Sequence, residues 1–409
     1  MLGRVLNTHQ QWLCRRLADL GYIVSRQVAV ADRGGDIEQA VREALTRADL
    51  VITTGGLGPT SDDITRDLIA QLLGKKLHED ANALGHIRSF FEIRKRQMPE
   101  RTAVQALVPE GAEVLSNPHG TAPGLAMEVS PNPFRAENKR SWLVMLPGPP
   151  RELRPMFGDS VEPMLRRVLP VQEAFVCRTL RTTGVGESIV QEKIGKQMQA
   201  LVESGLDLGY CARPGQVDVR VAARGAKAET LVQEAEQIVQ RRLGSRIYGV
   251  ENDELESVIV RLLTERKQTL ALAESCTGGC IAHRITNVPG ASAVLLAGLV
   301  TYSNDAKKRF LGVHAATLEQ HGAVSEPVAR QMAEGARKQT GADYAISVTG
   351  IAGPSGGTPD KPVGTVFMGL AGDFETQVAQ CLNPFDRETF KQVTSDQALE
   401  MLRRQILGL

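Results

Sequence analysis

The feature that most limits the fold is an alternation of strand-length apolar segments with helical segments, in two separate stretches of the 409-residue chain. Such alternation favours a parallel sheet covered by helices on both faces. In the first stretch we predict strands at 23–30, 50–53 and 142–146 and helices at 10–20, 36–47 and 64–73. In the second we predict strands at 269–273, 293–300, 344–348 and 364–369 and helices at 255–266, 328–339 and 387–407.

The residues between these two stretches follow a different pattern of predicted strands and helices. Strands predicted at 175–182, 206–210 and 217–223 precede one long amphipathic helix at 228–243, which indicates a small α+β domain. The sequence therefore predicts an α/β protein of three domains. These are a parallel-sheet domain at 1–170, an α+β domain at 171–250 and an α/β/α domain at 251–409.

Charge and composition argue against several classes of function. The formal net charge is +1, so no strong field attracts nucleic acid or an anionic membrane, and neither is an expected partner. The longest apolar stretch is too short to span a bilayer, and the amino terminus does not resemble a secretion signal. Six scattered cysteines without a C-x-x-C pair are typical of reduced thiols, so a cytoplasmic location is expected.

Ser275 lies where a predicted strand ends and a glycine-rich turn opens a helix. That position exposes a side chain at the carboxyl edge of a parallel sheet, where ligands of α/β proteins bind. The backbone N–H groups of Thr277, Gly278 and Gly279 could then hold an oxyanion or a phosphate. Two other interpretations stay open: tight packing of helix on strand, or anion binding without catalysis.

A second group of residues follows the strand predicted at 293–300, which we expect to be buried. Tyr302 and Lys307 could face the same cleft as Ser275, because both segments begin at strand ends. An uncharged lysine can serve as the base that a serine nucleophile needs, and a tyrosine hydroxyl can relay the proton. Alternatively, Lys307 is solvated and Tyr302 belongs to the core. Cys276 is the rival nucleophile, but we interpret it as a packing residue, since no suitable cationic partner adjoins it.

A glycine-rich loop in the first domain also lies between a strand and a helix. Such a loop allows close approach of a phosphate, and its carboxylates could hold a divalent cation. It is not a Walker loop, because no Gly-Lys-Ser/Thr follows. Helix capping is the plainer role for the two aspartates. The candidate nucleotide-binding residues are Gly55, Gly56, Gly58, Thr60, Asp62 and Asp63, the last two being candidate metal ligands.

Four segments of the third domain closely resemble the carboxy-terminal domain of the CinA family. They are A-E-S-C-T-G-G at 273–279, T-Y-S-N at 301–304, H-G-A-V-S-E-P at 321–327 and G-I-A-G-P at 350–354. The resemblance implies hydrolysis of nicotinamide mononucleotide to nicotinate mononucleotide and ammonia, without a cofactor. It also implies a catalytic dyad of Ser275 and Lys307 assisted by Tyr302. The predicted substrate-binding residues are Thr277, Gly278, Gly279, Asn304, Gly350, Gly353 and Arg387.

Within that set, Arg387 and the loop 350–357 are our candidates for holding the 5′-phosphate, because a guanidinium group and a nest of backbone N–H groups both suit that anion.

The first two domains resemble the rest of the same family. The segments T-T-G-G-L-G-P-T-x-D-D at 53–63, N-P-H-G-T-A-P-G at 117–124 and L-P-G-P-P-R-E at 146–152 are similar to its molybdopterin-binding-like domain. Some members hydrolyse ADP-ribose there with a metal ion. Residues 173–250 resemble the KH-like middle domain, although the G-x-x-G loop of a nucleic-acid-binding KH module is absent.

Family members begin with a strand ahead of the segment that matches residues 2–7, which ends at Asn7 of the candidate nucleotide site. A sheet without that strand exposes an edge, so either the start codon is misplaced or this site is damaged, and we expect weak or absent ADP-ribose hydrolysis. The resemblance also implies a homodimer. The alternative function is a non-catalytic nucleotide-binding regulator connected with competence and DNA damage.

Overall fold

The computed structural model describes residues 7–409 and contains two compact units, one ending at Gln172 and the other beginning at Glu173. The segment 2–6, which carries part of the family resemblance, lies outside the described residues. No helix of the described residues is both long and apolar enough to cross a membrane.

The first unit is a mixed sheet with helices on both faces. Its strands are β1 (Leu50–Thr54), β2 (Leu77–Glu79), β3 (Leu107–Pro109), β4 (Glu113–Leu115), β5 (Gly124–Val129) and β6 (Ser141–Leu146). Its helices are α1 (Thr8–Asp19), α2 (Gly34–Leu45), α3 (Thr65–Leu72), α4 (Ala81–Ile93), α5 (Pro150–Met156) and α6 (Glu162–Val168). Alternate residues of β6 point to opposite faces: Leu143 packs in the cluster with α2 and α3, and Val144 packs with α1, α5 and α6.

The predicted α/β character of this unit is confirmed, but the part of its main sheet within residues 7–409 is mixed. It has the order β1-β6-β5-β4, and in that range only β1 and β6 run parallel. Strand β5 is connected to β4 and β6 without an intervening α-helix, and such connections join antiparallel strands.

The strand predicted at 23–30 is also wrong, because that segment is irregular and its Ile23 side chain is 84% exposed. An apolar alternation forms a strand only where a partner satisfies its backbone groups. Among residues 7–409, β1 pairs only with β6.

The middle domain, in the second unit, is a four-stranded antiparallel sheet with two helices. Strands β7 (Phe175–Thr183), β8 (Asp207–Arg213), β9 (Gln216–Arg224) and β10 (Ile247–Val250) have the order β10-β7-β9-β8. Helix α8 (Ala228–Leu243) agrees with the sequence, whereas α7 (Glu187–Glu203) was not predicted. Both helices contribute to one apolar cluster with the sheet.

The carboxy-terminal domain has three layers, as the sequence predicts. Its sheet has the order β12-β11-β13-β14-β15, and β12, β11 and β13 are parallel. Its strands are β11 (Leu270–Glu274), β12 (Leu295–Val300), β13 (Tyr344–Gly350), β14 (Thr365–Gly372) and β15 (Phe374–Leu382). Its helices are α9 (Leu255–Arg266), α10 (Cys280–Thr286), α11 (Asn304–Leu311), α12 (Ala315–His321), α13 (Glu326–Thr340) and α14 (Arg387–Leu407).

Strand β11 is buried on both faces of this sheet. Leu272 packs with α9, α10 and α14, and Ala273 packs with α13. Strand β12 differs from our prediction of a buried strand at 293–300, because it begins at Leu295 and forms the edge of the sheet. The side chains of Leu296 and Val300 are 49% and 50% exposed.

A buried polar cluster joins the middle domain to helix α14. The carboxylate of Asp396, which is 1% exposed, pairs with Arg284 at 2.7 Å and accepts a hydrogen bond from Gln216 Nε2 at 3.0 Å. Burial raises the pKa of Asp396, and Arg284 only partly offsets this effect. The Gln216 side chain in turn accepts from the Tyr248 hydroxyl at 2.9 Å. The helix that carries Arg387 at its first turn is therefore anchored farther along by the middle domain.

Candidate active site

The candidate site lies at the carboxyl end of β11, between the ends of two parallel neighbours. Glu274, the last residue of β11, is in register with Val300 of β12 and Val348 of β13. Ser275 and Thr301 directly follow the ends of their strands, and the Thr301 N–H donates to the Glu274 carbonyl oxygen at 2.8 Å. Parallel topology thus brings the segments at 275 and 301–307 to one edge of the sheet.

Ser275 and Lys307 are brought together in a buried position. The distance from Lys307 Nζ to Ser275 Oγ is 3.0 Å. Lys307 is 1% exposed and Ser275 is 8% exposed. The amine also donates to the Thr301 carbonyl oxygen at 2.9 Å and to the Tyr302 carbonyl oxygen at 3.4 Å. In the described part of the chain no carboxylate forms an ion pair with Lys307. Burial lowers the pKa of Lys307, which favours the neutral amine.

Helix α11 explains how a lysine reaches this position. The Ser303 hydroxyl caps the helix by accepting from the Ala306 N–H at 3.1 Å, and the Lys307 N–H donates to the Ser303 carbonyl oxygen at 3.1 Å. The side chain of Lys307 therefore extends from the start of the helix back toward the strand ends. Asn304, a predicted substrate-binding residue, is exposed at the first position of this helix.

The structure places the Tyr302 hydroxyl differently from the predicted proton relay. Its side chain is 61% exposed, and the hydroxyl accepts from Arg387 Nη2 at 2.7 Å. Nη1 of the same guanidinium donates to the Gly353 carbonyl oxygen at 2.9 Å. Among the described contacts of Tyr302, only its backbone oxygen reaches Lys307. A second polar group is thus formed by Tyr302, Gly353 and Arg387. Gly350, another predicted substrate-binding residue, is the last residue of strand β13.

Two of the three predicted oxyanion donors are already engaged. The Gly278 N–H donates to the Ser275 carbonyl oxygen at 3.1 Å, and the Gly279 N–H donates to the Glu274 carboxylate at 3.0 Å. The prediction for these two groups is therefore wrong in this geometry. The N–H groups of Cys276 and Thr277 interact with the Cys276 thiol, which is only a weak acceptor.

Glu274 is a residue that the sequence analysis missed. It is 1% exposed, and its carboxylate also accepts from the N–H groups of Ile281 at 3.2 Å and Ala282 at 2.8 Å. These bonds satisfy the first turn of α10 and hold the turn that follows Ser275. The sequence does contain a signal for this role: an acidic residue that directly precedes the candidate nucleophile and a turn with two glycines.

Replacing Glu274 with glutamine should destabilise the carboxy-terminal domain by about 1–3 kcal/mol, because an amide nitrogen would face buried N–H groups that need an acceptor. The urea midpoint of the full chain measures this loss. Glu265→Gln, on an exposed position of α9, is the matched control and should change stability by less than about 0.5 kcal/mol. Equal midpoints for the two variants would contradict the role given to Glu274.

The neighbours of Ser275 differ in what they offer chemically. Cys276 is 6% exposed, and burial raises the pKa of its thiol to about 12, so the thiolate is scarce near neutral pH. This agrees with its interpretation as a packing residue. Thr277 is fully buried, and its hydroxyl has no hydrogen-bond partner among the described residues.

In the first unit the predicted nucleotide-binding residues divide into two groups. A cavity of about 960 Å³ is lined by Asn7, Gly55 and Gly56 together with residues of the irregular segment 23–30. Gly58, Thr60, Asp62 and Asp63 do not line this cavity. Asn7 also caps α1 by accepting from the Gln10 N–H at 3.4 Å.

The two aspartates of the loop have different surroundings. The Asp63 carboxylate accepts from the N–H and the hydroxyl of Thr60, so it holds its own loop. Asp62 is exposed, and a hydrogen bond with Thr60 lowers its pKa. Within residues 7–409, no group of three or more His, Cys, Asp or Glu side chains is arranged to hold a metal ion.

Comparisons with known proteins assign the three domains to family models. The model of the CinA C-terminal domain matches residues 252–406. The model described as Probable molybdopterin binding domain matches residues 1–167, and that of the damage-inducible protein CinA KH domain matches residues 177–249.

Relatives match over the full chain. A competence-damage inducible protein of Caldicellulosiruptor bescii is 42% identical over 410 residues, which cover 100% of this chain and 97% of the relative. A CinA-like protein of Akkermansia muciniphila is 43% identical over 98% of this chain and 93% of its own length. The solved structure of the competence/damage inducible protein CihA from Agrobacterium tumefaciens is 40% identical, with a TM-score of 0.35, and the match covers 37% of this chain and 95% of that one.

Proposed function

The chain belongs to the CinA family, and on that premise we propose that its carboxy-terminal domain hydrolyses nicotinamide mononucleotide to nicotinate mononucleotide and ammonia. The observation that carries the proposal is the 3.0 Å distance between Lys307 Nζ and Ser275 Oγ in a buried position without a carboxylate partner among the described residues. A serine amidase needs a nucleophile and a base in such contact.

The surroundings of Lys307 suit a neutral amine. Such an amine has two N–H donors and one lone pair. The Thr301 and Tyr302 carbonyl oxygens can accept the two donors, which leaves the lone pair for the proton of the Ser275 hydroxyl. Burial lowers the pKa of Lys307 and so increases the fraction in this form.

The proposed reaction has two stages. Lys307 accepts the hydroxyl proton as Ser275 Oγ attacks the carboxamide carbon. We assign the Thr277 N–H of the nucleophile turn as a donor to the resulting oxyanion, a contact worth about 3 kcal/mol. Lys307 then donates the proton to the departing nitrogen, so ammonia leaves and an ester remains on Ser275. In the second stage Lys307 takes a proton from water, the hydroxide attacks the ester, and Ser275 recovers its proton as nicotinate mononucleotide departs.

The substrate's own chemistry supports this proposal. Its pyridinium ring withdraws electrons from the carboxamide and makes the carbon easier to attack. The ring is cationic, so a neutral lysine beside it avoids the repulsion that a protonated one would cause.

The experiment that tests the proposed function is ammonia release from nicotinamide mononucleotide by the wild-type protein. The amidase should release one ammonia for each nicotinate mononucleotide formed. The alternative function, a nucleotide-binding regulator without catalysis, should show binding by calorimetry and no ammonia. That second outcome would reject the amidase proposal.

A second activity, ADP-ribose hydrolysis by the first unit, is proposed to be weak or absent. One observation favours this: the Asp63 carboxylate accepts hydrogen bonds from Thr60 of its own loop. We expect little turnover of ADP-ribose in the presence of Mg²⁺ or Mn²⁺. Robust metal-dependent hydrolysis would contradict this expectation. We also propose that Asp62 and Asp63 bind a divalent cation. We propose further that the protein forms a homodimer.

A further inference from the structure

Helix α14 presents two cationic side chains near the nucleophile turn. Arg387 and Lys391 are four residues apart and so lie on one face of the helix. The Lys391 side chain is half-buried, and its Nζ lies 3.9 Å from the position that a Cβ on Gly278 would occupy. Arg387 reaches the Gly353 carbonyl oxygen and the Tyr302 hydroxyl. Lys391 therefore borders the turn that carries Ser275, and Arg387 lies against Tyr302 and Gly353.

Neither cation has an acidic partner in the described part of the chain. The two acceptors of Arg387 are uncharged, and Lys391 Nζ has neither an ion pair nor a hydrogen bond there. Glu388, the acidic residue between them in sequence, is exposed and forms no ion pair with either among the described residues, and two other nearby carboxylates are used elsewhere. Glu274 accepts three backbone N–H groups, and Asp386 accepts from the N–H groups of Glu388 and Thr389. A partly buried ammonium group without a counter-charge is unfavourable, so this face favours an anionic ligand.

We propose that Lys391, together with Arg387, binds the phosphate of a nucleoside monophosphate substrate and makes the site selective for the nucleotide over the nucleoside. This inference rests on the proposed function. The reacting end of the substrate is a cationic ring, which two cations would repel, so they belong with the opposite end. A phosphomonoester carries a charge of about −1.5 to −2 near neutral pH. The guanidinium suits its paired oxygens, and the lysine supplies a point charge.

The test compares nicotinamide mononucleotide with nicotinamide riboside as substrates of Lys391→Gln. We expect kcat/KM for the nucleotide to fall about 10- to 100-fold, as for loss of a charged hydrogen bond, and kcat/KM for the riboside to stay unchanged. Lys391→Arg should retain most of the preference for the nucleotide. Lys338→Gln, an exposed lysine of α13, is the matched control and should behave as wild type.

Two outcomes overturn this proposal. An equal fall for both substrates would show that Lys391 acts on the chemistry or the fold, and an unchanged nucleotide preference would show that it does not bind the phosphate. If the wild type releases no ammonia at all, the proposed function fails by itself. Calorimetry with nicotinamide mononucleotide then still tests Lys391, because the variant should bind it about 10-fold or more weakly than wild type, and equal binding rejects the phosphate site.

Discussion

Replacing Ser275 with alanine is expected to reduce ammonia release from nicotinamide mononucleotide by roughly 10⁴-fold or more, the scale seen when a serine hydrolase loses its nucleophile. The hydroxyl lies 3.0 Å from the Lys307 amine, and no other described nucleophile shares that contact. The measurement is the initial rate of ammonia release at saturating substrate. The fold should survive, because the Ser275 hydrogen bonds that belong to the turn use its backbone N–H and carbonyl groups.

Cys276→Ala is the matched control for this experiment. Its thiol is buried in the apolar cluster with α9 and α14, and burial raises its pKa to about 12. We expect the alanine variant to keep kcat within a few-fold of wild type. If Cys276→Ala lost activity while Ser275→Ala kept full activity, the nucleophile would be Cys276 and not Ser275.

Replacing Lys307 with methionine is expected to cause a loss similar in size to that of Ser275→Ala, because residues that act as one catalytic unit are not additive. Methionine has a similar length and is apolar, so it suits a position that is 1% exposed. The control is Lys308→Met on the same helix, whose lysine pairs with Asp305 at 2.7 Å on the surface. This control should retain activity. If Lys307→Met were as active as the control, Lys307 would not be the catalytic base.

The pH dependence of wild-type activity should report the same amine. Only neutral Lys307 can accept the Ser275 proton, so activity should rise with pH as the amine loses its proton and then reach a plateau. Because burial lowers the pKa of Lys307, this rise should lie below the ordinary lysine value of about 10.4. A rise centred at or above that value in kcat/KM would show that the amine is protonated under working conditions.

The sequence predicts the third domain well because its signals are local. A strand followed by Ser275 and two glycines specifies a turn at the edge of a sheet, and the next parallel strand brings Lys307 to the same edge. Burial of β11 on both faces follows from its unbroken apolar run. For the nucleophile turn and β11, local propensity and tertiary structure agree.

Other features depend on partners that sequence patterns do not specify. The segment 23–30 has the composition of a strand, yet no strand among residues 7–409 pairs with it; it is irregular and Ile23 is exposed. The amides of Gly278 and Gly279 looked free in the sequence, but a carbonyl oxygen and the Glu274 carboxylate accept from them. Lys391 could not be recognised from its sequence position, because only the folding of α14 against the nucleophile turn brings its amine near Gly278.

The most direct measurement is to quench the wild-type protein during turnover with acid, digest it, and locate any bound acyl group by mass spectrometry. The amidase account predicts a nicotinate mononucleotide ester on the peptide that contains Ser275, attached through its oxygen and absent from Ser275→Ala. An acyl group found instead on Cys276 or any other side chain, while ammonia is released at the wild-type rate, would contradict it.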